Sequence, residues 1–136
     1  MTTLTMNPIA RPHSYGALLL RFALGQMWIA HGTMKLTVFT VSGFAGWLDN
    51  LGLPGFMAGP VIVAEILGGI AILLGLYGRW VSLAMVPVLA VALWTHLPNG
   101  WLFTNSGGGW EFPAFLIVAS LVHALHGDGI WALKSR

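Results

Sequence analysis

The chain has 136 residues, of which 57% are apolar and only 7% charged, with a formal net charge of +2 and a mean hydropathy of +0.80. Soluble domains carry about 25% charged residues, so this chain has too few polar groups to cover a water-facing surface, and lipid must solvate most of it. Six basic against four acidic residues give no support to nucleic-acid binding, and the absence of cysteine excludes disulfides, thiol redox chemistry and thiolate metal ligands.

The first stretch, residues 1–14, is polar, carries Pro8 and Pro12, and reads as an N-terminal tail. A helix needs roughly 20 residues to cross the hydrocarbon core. Four segments qualify: about 15–35, 59–78, 80–97 and 112–127. The first contains Arg21 and has no small-residue cleavage site, so it reads as a retained span rather than a signal peptide. The connection 36–58 is long and aromatic, and its GFAGWLDNLGLPG run reads as a turn-broken stretch on the membrane surface. Little more than Gly78 and Arg79 separates the second span from the third, which makes the two a tight helical hairpin. Gly68 and Gly75 share a face of the second span and Gly69 lies one turn from Glu65, a pattern that reads as close helix packing. Pro87 in the third span frees a backbone carbonyl and is a candidate kink. The connection PNGWLFTNSGGGW carries Trp101 and Trp110, residues suited to an aromatic belt. Residues 134–136 form a short C-terminal tail. The expected fold is all-α: a polytopic membrane protein with a single domain over 15–133, built as a four-transmembrane-helix bundle.

Four spans put both termini on one side, and that side holds Arg11, Arg79, Lys134 and Arg136, with Arg21 near the start of the first span. The opposite connections hold Asp49, Glu111 and the lone base Lys35. Positive charge concentrates on the cytoplasmic side of membrane proteins, so both termini are expected in the cytoplasm. Arg79 reads as a topology anchor.

Threading the chain in this direction gathers distant polar residues at one depth. His31 and Lys35 end the first span, and Glu65 lies about 9 Å below the entry of the second at 1.5 Å per residue. His96 ends the third span and Glu111 opens the fourth. In the first span Arg21, Leu24, Trp28, His31 and Lys35 follow alternating spacings of three and four, which is one face of a helix. Glu65 is too short to snorkel and must be protonated, paired or watered. Lys35 is the expected partner, being nearer in depth than Arg21. An intramembrane ionisable residue points to function by default, though such charges also serve to fix helix register. His123 and His126, near the inner end of the fourth span, read as ordinary interfacial packing.

The residue types narrow the chemistry. Five histidines are present, but they form no local ligand motif, so a metal, haem or copper centre is disfavoured. Phosphate loops, dinucleotide fingerprints and nucleophilic serine or cysteine motifs are absent. A quinone site needs an apolar slot with a few groups that bond ring oxygens and move protons. Trp28, His31, Lys35, Glu65, Trp94, His96 and Glu111 supply those walls and groups as candidate ligand residues. Nothing in the chain carries electrons onward, so a redox role requires a partner subunit or bound cofactor.

These residues also carry a resemblance. Arg21 with the HGTMKL segment, the LGLP turn at 51–54, EILGG followed by LLGLYGR, His96, GGGWEFP and the closing GDG around Asp128 resemble the DoxX/DoxD family of small four-helix bacterial membrane proteins. The resemblance extends over nearly all of residues 15–133. It implies an inner-membrane bundle and carries over Arg21, His31, Lys35, Glu65, His96 and Glu111 as site positions. Some members of the family are subunits of a thiosulfate:quinone oxidoreductase, and others are associated with redox-stress complexes or lie beside metal-handling and aromatic-detoxification genes. Without cysteine, this chain cannot form a covalent thiol intermediate on a sulfur substrate. Three functions stay open: a quinone-linked oxidoreductase subunit working with a redox partner or as a homo-oligomer, a non-catalytic membrane scaffold, and a small-molecule or proton transport component.

Overall fold

A computed structural model describes residues 12–135, with side chains from Tyr15 onward; most of the polar N-terminal tail and Arg136 lie outside the described residues. The described chain is helical throughout, apart from turns and one isolated bridge. Five α-helices follow in order: α1 Pro12–Met34, α2 Thr40–Asn50, α3 Ala58–Leu74, α4 Gly78–His96 and α5 Glu111–His126. α1, α3, α4 and α5 overlap the four apolar segments of the sequence. Residues 55–74 and 78–99 are each long and apolar enough to cross a membrane.

The surface has the polarity that lipid demands. Large apolar side chains point outward along the helices, among them Phe22, Leu67, Trp94, Phe115 and Val118, all more than half exposed. A water-soluble monomer exposes apolar residues singly or in patches of a few hundred Å²; here they cover the helices. The interior holds Leu24, Met27, Trp28, Ile72, Met85, Leu89, Leu116 and Ala119, drawn from all four long helices and closed into one cluster.

Glycine sets how closely α1 and α3 approach. A Cβ on Gly25 would sit 2.9 Å from the Gly69 carbonyl oxygen, and one on Gly69 would sit 2.8 Å from that of Gly25. Backbone therefore meets backbone at this crossing, where van der Waals packing replaces the hydrophobic drive that lipid removes. Two turns along α1, Gly32 lies against Glu65 and Ile66 in the same way. The sequence pattern pairs Gly68 with Gly75 instead. Gly68 faces Met85 on α4, whereas Gly75 ends α3 with φ +71°, the left-handed conformation of a C-cap. Gly75 is thus a terminator rather than a packing residue, because the helix stops at Leu74 and not near residue 78.

The connection 36–58 also departs from expectation. Lys35–Phe39 form a wide π turn and residues 40–50 a regular helix, with a short 3-10 turn at Gly55–Met57. Two glycines weaken the helical signal of α2, but Phe44 and Leu48, four residues apart, bury against Ala58 and Ile62 of α3. Thr40 starts α2 at φ +67° and ψ +161°, a region that essentially only glycine occupies. Its Oγ1 accepts the Gly43 N–H at 3.2 Å, a helix cap that offsets part of the strain. α4 continues through Pro87 without interruption.

At the other end of the bundle the chain doubles back. Leu133 N–H donates to the Leu74 carbonyl, Lys134 N–H to Gly75, and Tyr77 N–H to Lys134, at 2.7–3.1 Å. Residues 127–135 are therefore a strap across the α3–α4 turn, extending well before the short tail read from the sequence.

The glycine crossing makes a direct prediction. Gly69→Ala overpacks the α1–α3 contact and should lower stability by about 1–3 kcal/mol, read as denaturation in detergent. Gly16→Ala has nothing within 4 Å of its new methyl group and should leave stability unchanged or slightly raised.

Candidate ligand site in the outer half of the bundle

Two polar clusters occupy opposite ends of the bundle, separated by the apolar layer around Trp28 and Leu89. The end formed by the C-terminus of α1, the first half of α3, the end of α4 and the start of α5 is termed outer here.

Lys35 and Glu65 form the centre of the outer cluster. Lys35 Nζ donates to Glu65 Oε1 at 2.5 Å, bridging α1 and α3. The carboxylate side chain is 2% exposed and the lysine 21%, so the lysine leads from the surface to the buried acid. The glycine contacts described above let the two helices close far enough for this bond. Phe44 of α2 covers the lysine, its ring centroid 5.0 Å from Nζ, in cation–π range. Glu65 keeps a second oxygen, Oε2, buried and without a hydrogen-bond partner. Trp28 Nε1, one turn below Gly32 on α1, is a buried donor in the same condition. Unpaired buried polar atoms cost roughly 1–3 kcal/mol each, and Oε2 belongs to the one buried acid of the outer half among the described residues.

The other candidates stand around this pair at varying distance. His31 Nδ1–H donates to the Met27 carbonyl at 2.9 Å, and its ring stacks on Phe112 at 6.1 Å between centroids. Because Nδ1 donates, the neutral ring keeps its lone pair on Nε2. His96 repeats the arrangement, with Nδ1–H donating to Ala92 at 2.6 Å. Glu111 Oε1 accepts the Phe103 N–H at 3.2 Å, and together with Phe112 and Phe115 these residues line an open groove of about 430 Å³. Lys35 and Glu65 are thus in contact, His31 reaches the Glu111 groove through Phe112, and His96 is bonded within its own turn. Trp94 is 52% exposed on the outside of α4 and forms no part of a wall within this chain. Trp28 is fully buried in the core. Among the described residues no three His, Asp or Glu side chains converge as a metal site.

The inner cluster was not legible from sequence as a unit. Ser82 Oγ–H donates to His123 Nδ1 at 2.6 Å, His123 Nε2–H donates to Asp128 Oδ1 at 2.8 Å, and Gly78 N–H donates to Asp128 Oδ2 at 3.1 Å. All three side chains are buried. His123 is therefore the centre of a buried network rather than interfacial packing, while His126 is exposed. The trio has the residue types of a nucleophilic triad, but the serine faces Nδ1 rather than Nε2 and no substrate can reach it. Asp128 ties the strap to α4 and α5, and the Ser82–His123 bond joins those two helices. Arg21 adds Nη2–H to the Ile130 carbonyl at 2.9 Å, and its guanidinium fills the space that a side chain on Gly75 would take. Arg79 Nε–H donates to Ala124 at 2.9 Å and its guanidinium lies over Trp80.

The asymmetric burial of the outer pair gives a measurable consequence. Lys35→Met strands a carboxylate in the interior and should cost about 3–5 kcal/mol. Glu65→Gln still accepts the lysine's bond and releases a cation that can reach the surface, so its cost should be about 1–2 kcal/mol. Denaturation of both variants in the same detergent compares them; equal losses would contradict the arrangement.

Comparison with known proteins agrees with this architecture. Residues 16–98 match DoxX. The chain is 30% identical over 118 residues to a Bacillus subtilis (strain 168) protein named "Putative oxidoreductase CatD", covering 87% of this chain and 84% of that one. It is 29% identical over 133 residues to a Haemophilus influenzae protein named only "Uncharacterized protein", covering 96% and 97%. No solved structure matches the chain. The helical order, the apolar exterior and these matches together place the chain in the DoxX family of membrane proteins.

Proposed function

We propose that the chain is a quinone-linked oxidoreductase subunit of the bacterial inner membrane, with its ligand site at the Lys35–Glu65 pair. In this reading α1, α3, α4 and α5 each span the bilayer, both termini are cytoplasmic, and α2 lies at the outer surface. The orientation rests on Arg21, Arg79 and Lys134 at one end of the bundle against Lys35 at the other. The observation that carries the ligand site is Glu65 Oε2, a buried acceptor with no protein partner. Lys35 supplies a donor beside it, and His31 adds a group able to hold or release a proton. The name of the Bacillus relative supports the redox class.

Bound quinone would supply two-electron, two-proton redox chemistry. The chain's own share is to exclude water, to orient the ring oxygens through Glu65 and Lys35, and to take up a proton at His31 Nε2. Electrons must arrive from or leave to a partner subunit. Transport through a single chain is disfavoured by the apolar layer of Leu24, Met27, Trp28, Met85 and Leu89 between the two polar ends.

Quinone retained by the purified protein should be extractable in organic solvent and quantifiable by chromatography. Glu65→Gln and His31→Ala should each reduce it several-fold, and unchanged retention in both would remove the site. Topology has its own check, because the cysteine-free chain accepts single cysteines without background. Asn105→Cys should react with an impermeant maleimide on intact spheroplasts, and Ser135→Cys only after lysis; the reverse pattern would invert the orientation.

A further inference from the structure

We infer that the Glu65 site selects a ligand bearing a hydroxyl donor, and so holds a quinol in preference to the corresponding quinone. This rests on the outer pair being a quinone-type site and concerns which form of the ligand it takes. The argument begins with the pairing of the carboxylate. Lys35 occupies Oε1, and Oε2 remains buried with nothing donating to it. An ionised carboxylate can only accept hydrogen bonds. Whatever completes the site must present an O–H or N–H.

The neighbouring lysine sharpens the requirement. Lys35, bonded to Oε1, is donor-only. A ligand oxygen near it must accept. A phenolic hydroxyl satisfies both demands at once, accepting from the lysine through its lone pairs and donating its proton to Oε2. A quinone carbonyl satisfies the donor alone, and sets its own lone pairs against those of Oε2. Leaving a buried charged acceptor unpaired forfeits a bond of the stronger, charge-assisted kind. That difference corresponds to at least about tenfold in affinity.

Lys35 is the partly open member of the pair, and it begins the π turn that leads to the strained Thr40. Phe44 covers the ammonium from one side.

The test compares one-isoprene ubiquinol and ubiquinone, the former kept reduced under anaerobic conditions, on protein in lipid nanodiscs. Binding is read by quenching of tryptophan fluorescence. The quinol should bind at least tenfold more tightly, and its dimethyl ether, which has no donor, should bind no better than the quinone. Glu65→Gln removes the charged acceptor, so it should lower quinol affinity several-fold and abolish the preference. Equal or tighter binding of the quinone by the native protein would overturn the inference while leaving the quinone site standing. Failure of both forms to bind would overturn the site and the inference with it. The native protein's ratio decides the matter even if the variant does not fold.

Discussion

A carboxylate in an apolar solvent dictates much of this structure. Glu65 is placed within a helix that is otherwise hydrophobic, and an ionised acid there is tolerated only with a counter-charge at bonding distance. The side chain is short, so the partner must come to it. α1 brings Lys35 there by running close against α3, and the close approach is possible because Gly25, Gly32 and Gly69 present bare backbone at the crossing. The bond then fixes the register of the two helices, and the turn that follows Lys35 sets α2 over the pair.

The bundle is polarised by the same constraint. At its inner end Arg21, Ser82, His123 and Asp128 are buried too; there each oxygen of the aspartate and each nitrogen of the histidine has a partner, while Arg21 leaves Nε and Nη1 unpaired beside its bond to Ile130. That network is a clasp for the strap of residues 127–135. At the outer end the carboxylate itself is incomplete, with its acceptor Oε2 left open. Buried polar groups are normally satisfied, so an open acceptor on a buried acid reads as a place for something else. A purely structural role for Glu65 would predict a closed arrangement like that of Asp128.

The parts of this that the sequence revealed are those set by the cost of charge in lipid. Apolar runs located the long helices, and depth alone matched Lys35 with Glu65, because so few charges compete. The parts it concealed depend on contacts between distant elements. Ser82 looks like any small polar residue in a span, and only the fold brings it to His123. Gly75 shares the spacing of a packing glycine, but its role comes from the end of α3 and the arginine beneath it. α2 is diluted by Gly43 and Gly46, and its helix follows from burying Phe44 and Leu48. Trp94 has the depth expected of a site wall, but its azimuth on α4 turns it outward, and depth carries no information about azimuth.

The central claim is that Glu65 Oε2 is completed by a bound molecule rather than by protein. The most direct test is a high-resolution structure of the protein extracted with its native lipids. The account predicts density beyond protein and acyl chain within hydrogen-bond distance of Oε2, beside Lys35. A carboxylate closed off by protein groups alone, with no molecule against it, would contradict it.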